Sequence, residues 1–135
     1  MNKICTSLEQ SKKLIELGID IDTADMCWSL FTVITNGNKD IKQVLLPTSY
    51  GEVTKQPAPD FIERNPAWSL SALLELMPTD DKKDEYYVTT ESHSDYHTVN
   101  YRNCWDGCIH SEDSEESLLD AAFEMACWLK ENGKI

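Results

Sequence analysis

The sequence predicts an α+β fold: an antiparallel sheet built from two β-hairpins, with two or three main helices packed on one face. Three observations carry that expectation. Asn36-Gly37 separates the run Leu30–Thr35, rich in β-branched and aromatic residues, from a second apolar run over Ile41–Leu46. Both turn positions tolerate positive φ, which suits a tight hairpin. Tyr86–Glu91 and Tyr96–Tyr101 alternate with a period of two and are joined by Ser92-His93-Ser94-Asp95, the pattern of a second hairpin. Segments with apolar residues at helical spacing and recognisable start signals frame these runs.

The first helix starts at Thr6 or Ser7. Glu9 follows Thr6 by three and Gln10 follows Ser7 by three, so either start makes a capping box. Leu8, Leu14, Ile15 and Leu17 form its apolar face. Gly18 supplies the left-handed stop, with Ile19 placed for the contact beyond it. Thr23 is a candidate cap for a short helical turn through Cys27. The first hairpin follows and ends at Pro47. Residues 47–66 hold Pro47, Gly51, Pro57, Pro59 and Pro66 and read as an irregular connection, either a linker or a partner-binding surface. Asn65 as cap and Pro66 at the first position announce a second helix. Trp68, Leu70, Leu73, Leu74, Leu76 and Met77 are its apolar face and Pro78 its end. Thr79–Asp84 is a charged turn before the second hairpin. Cys104–Ile109 is a third strand or a loop, because Gly107 weakens a strand. Asp113 and Glu116 form a capping box for the last helix, where Glu112, Asp113, Glu115 and Glu116 suit the positive end of its dipole. Leu118, Ala122, Met125 and Leu129 lie on one stripe flanked by Ala121, Trp128, Phe123 and Cys127, so this helix is expected half sunk in the core. Asn132-Gly133 ends it.

The length of 135 residues fits one domain, 1–135, and the apolar and charged shares of 41% and 27% are those of a globular chain. The net charge of −12 is unevenly placed: residues 79–116 carry eleven acids against three bases. Phosphate-neutralising contacts need Lys and Arg, so nucleic acid is excluded as a nonspecific partner, and anionic membrane surfaces are disfavoured. A basic protein partner is attracted; the plainer role of excess acid is solubility. No apolar run reaches the roughly 20 residues of a bilayer span. Residues 1–7 contain no apolar signal core. Five scattered cysteines, an odd number, fit a reducing compartment, and the expected location is cytoplasmic.

The residue types that could carry chemistry converge weakly. Cys104-x-x-x-Cys108-x-His110, with His93 and His97 upstream, contains zinc-ligand types, and a small zinc domain using Cys104, Cys108 and His110 is the alternative to an interaction protein. The spacing is not that of paired CxxC motifs. A cysteine nucleophile at Cys104 or Cys108 needs one of these histidines as base. Cys27 and Cys127 read as small core side chains. The acidic pairs Asp80-Asp81, Asp84-Glu85, Glu112-Asp113 and Glu115-Glu116 sit where solvated acids are expected. No glycine-rich phosphate loop occurs. Trp68 and Trp128 read as core, and Trp105 as partly buried against the last helix, or as a contact site if exposed. The sequence assigns no catalytic, cofactor-binding or metal-ligating residue; an enzyme without a recognisable signature stays open.

Three blocks carry a resemblance. They are Ser7-Leu8-Glu9-Gln10-Ser11-Lys12-Lys13-Leu14 leading to Thr23-Ala24-Asp25-Met26, then Ala67–Pro78, and Asp120-Ala121-Ala122-Phe123-Glu124-Met125. Together the chain resembles small uncharacterised proteins encoded in prophages and mobile elements of Bacteroides-type gut bacteria. That resemblance implies a bacterial cytoplasmic setting and an accessory role, and transfers no functional residues. The combined expectation is a non-enzymatic accessory or interaction protein of a mobile element, with an acidic partner-binding surface drawn from residues 79–116.

Overall fold

The computed structural model describes residues 4–46, 61–78, 85–105 and 107–135. The described elements run α1 (Leu8–Glu16), a 3-10 turn (Ile21–Thr23), β1 (Met26–Thr35), β2 (Asn38–Leu46), β3 (Phe61–Ala67), α2 (Leu70–Glu75), β4 (Tyr86–Ser92), β5 (His97–Asn103), β6 (Gly107–Ser114) and α3 (Leu118–Glu131). The α+β class is as the sequence predicts, and both hairpins form. Each recruits its own third strand, so the single expected sheet is two antiparallel three-stranded sheets, ordered β2-β1-β3 and β4-β5-β6. No described helix is long and apolar enough to cross a membrane.

Helix α1 begins as the capping pattern requires. Ser7 Oγ accepts the N–H of Gln10, and the Gln10 side chain returns to the Ser7 N–H at 3.0 Å. Gly18, at φ 92°, ends the helix: its N–H reaches the Ile15 carbonyl and the Ile19 N–H reaches that of Leu14. Leu14 and Ile19 are both buried in the main core, while Ile15 is exposed. Thr23 ends the 3-10 turn rather than starting a helix, because Asp20 caps it; the Thr23 hydroxyl instead accepts Trp68 Nε1–H at 2.9 Å.

The second helix starts later than expected. Asn65 and Pro66 belong to β3, paired with Trp28 and Cys27, and Ser69 is the cap, accepting the Ala72 N–H. Strand β3 is an edge, where proline's missing N–H is tolerated. Residues 61–66 are therefore strand, not part of an irregular connection; residues 47–60 and the expected turn at 79–84 lie outside the described residues. The last helix is capped by Ser117, whose Oγ accepts the Asp120 N–H at 3.1 Å. Asp113 cannot cap it, because pairing with β5 carries β6 through Ser114.

The main core lies between α3, α1, α2 and one face of the β4-β5-β6 sheet. Leu119, Ala121, Ala122, Phe123, Met125, Ala126, Cys127 and Leu129 of α3 are buried, against Val99 and Tyr101 of β5. The first sheet is joined to this body through the segment preceding α1. Thr6 is fully buried: its N–H donates to the Trp68 carbonyl, its Oγ1 accepts the Trp68 N–H at 3.0 Å and meets Ser11 Oγ at 2.8 Å, and its carbonyl accepts Trp28 Nε1–H at 2.9 Å. Cys5, Met26 and Ala67 make a small second cluster beside it.

Candidate interaction surface

Strand pleating gives the β4-β5-β6 sheet two unlike faces. Val99 and Tyr101 face the core, so Thr98 and Asn100 point to the sheet's other face, although both are themselves buried there. The outer face is a polar ladder. Glu91, Thr98 and Asp113 form one row across the three strands, and Thr89, Asn100 and Ser111 the next. Thr98 Oγ1 donates to Asp113 Oδ1 at 2.5 Å and Ser111 Oγ to Asn100 Oδ1 at 2.6 Å.

A bulge decides the fate of the cysteine–histidine cluster. Tyr101 pairs with His110 but Arg102 pairs with Cys108, leaving Ile109 over. Cys108 and His110, two apart, are thereby sent to opposite faces. Cys108 Sγ lies 3.1 Å from Ser111 Oγ on the outer face. The His110 ring stacks on Trp128 of α3 at 4.1 Å and 7°, and its Nε2 is 2.7 Å from Glu112 Oε1. Cys104 sits in the β5–β6 turn. His97 pairs with Ser114, four rows or about 13 Å from the His110 row. His93, in the β4–β5 turn, stacks on Tyr96 at 4.5 Å. The zinc set Cys104, Cys108 and His110 is not assembled, and among the described residues no three His, Cys, Asp or Glu side chains converge on a point that a metal ion could fill.

The nucleophile and paired-acid readings meet the same geometry. Cys108 has hydroxyl, amide and carbonyl neighbours, with the nearest histidine ring on the other face. Burial pushes the thiol of Cys5 up to about 11 and that of Cys127 up to about 12, and raises Cys27 as well. These are core side chains, as expected for Cys27 and Cys127. Glu112 and Asp113 are neighbours on a strand and point to opposite faces. Glu115 and Glu116 lie in the turn before α3; Asp80, Asp81 and Asp84 lie outside the described residues.

What the sheet does present is an edge. Strands β4 and β6 are the two edges of this sheet; the Val88 N–H of β4 donates to the Pro78 carbonyl at 2.9 Å, whereas among the described residues no backbone–backbone hydrogen bond reaches the free side of β6. Each end of that edge carries an exposed aromatic. At the β5–β6 turn, Trp105 is 68% exposed, its N–H held by Asn103 Oδ1 at 3.1 Å. Partial burial against the last helix was the expectation. The turn instead projects past the Asn103–Gly107 pair, while α3 covers the strands. Ile109 is also exposed, at the bulge. At the other end, Asp95, Tyr96, Asp113, Ser114 and Glu115 line an open cleft of about 450 Å³. Tyr96 is 42% exposed there. Described acids on or beside this sheet are Glu85, Glu91, Asp95, Glu112, Asp113, Glu115 and Glu116, against Arg102 on β5 and Lys134, whose Nζ lies 6.0 Å from the centroid of the Tyr86 ring at the far edge.

Sequence reasoning found the acidic stretch and named Trp105. The bulge at Ile109 and the cleft escaped it, since neither has a local signature; positive φ at Gly107, 79°, marks the start of β6 rather than its interruption. No protein-family model, curated protein or solved structure matches the chain.

Proposed function

We propose that this protein is a non-enzymatic interaction module for a basic polypeptide, acting as an accessory protein of a prophage or mobile element in the bacterial cytoplasm. The observation that carries the binding reading is Trp105. A tryptophan 68% exposed at the tip of a sheet is unusual for a residue that contributes most when desolvated, and interface hot spots are enriched in this side chain. The acids along the same sheet supply the sign of the partner, because they attract and orient a cationic chain. The setting is supported by the three sequence blocks named above.

The test is calorimetric titration with a lysine- and arginine-rich peptide at low and high salt. The expected result is binding that weakens steeply between 0.05 and 0.5 M salt, as roughly 10 Å screening lengths shrink severalfold. Trp105→Ala should weaken it about 30-fold, the effect of a 2 kcal/mol hot spot. Salt-independent binding, or an affinity unchanged in Trp105→Ala, overturns the reading.

A further inference from the structure

We infer that the partner binds as an added β-strand along the free edge of β6, with an arginine side chain seated in the Asp95–Tyr96–Asp113–Glu115 cleft. This rests on the basic-partner reading and specifies the site and the binding mode.

The geometry defines the occupant. Strand β6 spans Gly107–Ser114 at the sheet's edge, so its outward backbone groups are free to pair with an extended chain. Trp105 stands at one end and the cleft at the other. Their separation, about 20 Å at roughly 3.3 Å per residue, is the reach of a six- or seven-residue extended segment. The two ends differ in chemistry. The Trp105 end offers an indole and Ile109, a place for an apolar anchor. The cleft end offers the carboxylates of Asp95, Asp113 and Glu115 around the half-exposed ring of Tyr96. One face of that ring is taken by His93. Asp113 is held in place by Thr98, which leaves its second oxygen for a donor. A planar guanidinium satisfies such a site by bidentate pairing and by stacking on the ring, which a lysine ammonium does less well.

Charge selects against the competing occupant. A second copy pairing edge to edge would join two strands that carry Glu112 and Asp113 and no Lys or Arg, flanked by Glu115 and Glu116. Like charge on an edge strand is one device against self-pairing, and past the bulge at Ile109 the strand keeps the regular stretch His110–Ser114 that bears these acids. A cationic strand meets no such repulsion.

The probe is an acetylated, amidated nine-residue peptide of alternating valine and threonine with two arginines near one end, compared with its citrulline counterpart and with a version N-methylated at alternate amides. Wild type and the double variant Asp95→Asn, Glu115→Gln are titrated, with melting curves confirming that both fold. The expected result is that the double variant binds the arginine peptide about tenfold more weakly, the loss of one charge-assisted contact. N-methylation should abolish binding, and citrulline should make wild type and variant alike. If wild type binds the peptide but the double variant binds it equally well, the cleft assignment fails while the basic-partner reading stands. If the N-methylated peptide binds as well as its parent, strand addition fails. If wild type binds none of these peptides while Trp105→Ala still weakens binding of a longer basic chain, the basic-partner reading survives and the edge does not.

Discussion

At the scale of single residues, environment sorts side chains that look alike in the sequence. Five cysteines divide into three buried and two exposed. Burial raises the thiols of Cys5, Cys27 and Cys127, and only the thiolate reacts. Brief treatment of native protein with iodoacetamide at pH 8 should therefore add two carbamidomethyl groups, at Cys104 and Cys108, read by peptide mass spectrometry. Modification of Cys127 without denaturant would contradict the packing of α3. Glu124 makes a second case. Its carboxyl is raised above the usual range, first by partial burial and then by Glu112, Asp120 and Glu131, with Lys13 opposing. A carboxyl raised in the folded state binds its proton more tightly there than in the unfolded chain. Its contribution is therefore favourable in acid and is lost as pH rises through the folded value. Glu124→Gln should raise the melting temperature at pH 7, and the gain should shrink towards pH 4. A variant that melts lower at pH 7 would show that the acid stabilises the fold. Apolar neighbours in the chain made Cys27 and Cys127 legible as core positions, but nothing in the spelling of the chain separates Cys5 from Cys104.

At the scale of elements, local signals located helices and hairpins well and their boundaries less well. The capping box at Ser7 and the glycine stop at Gly18 involve neighbours only, so both were legible. Asn65-Pro66 and Asp113 with Glu116 were equally good start signals, yet strand pairing claimed Asn65, Pro66 and Asp113 for β3 and β6. Ser69 and Ser117 cap the helices instead. Ser117→Ala should cost about 1 kcal/mol in denaturant unfolding, the usual loss for a cap; no change would place the start of α3 elsewhere. Thr6 is the other element-scale position, since three separate segments bond to it. Thr6→Val keeps the shape and removes the hydroxyl that pairs with the Trp68 N–H and Ser11. That leaves buried groups unpaired, so unfolding should be about 1–3 kcal/mol easier, while Thr6→Ser stays near wild type. Equal stability of the valine variant would mean that the hydroxyl adds nothing and that the Thr6 backbone bonds to Trp68 and Trp28 alone join the first sheet to the body.

At the scale of the whole molecule, the helices gather on one side of the β4-β5-β6 sheet, and the strands and turns of that sheet carry a large share of the described acids. That asymmetry was legible as composition: residues 79–116 carry most of the excess charge. The shape of the surface was not. That β6 lies at an edge depends on the order β4-β5-β6, and the cleft depends on the β4–β5 turn meeting the end of β6, contacts set by long-range pairing. The dispersal of Cys104, Cys108 and His110 depends in the same way on one bulged residue. The central claim is that the edge of β6, from Trp105 to the cleft at Asp95 and Glu115, is where a basic chain binds. Backbone amide chemical-shift mapping tests it most directly, with the arginine peptide titrated into isotopically labelled protein. The account predicts shifts concentrated at residues 95–96 and 104–116, with the amides of β1, β2 and α1 unmoved. Shifts centred on β1 and β2, or spread evenly over every acidic residue, would contradict it.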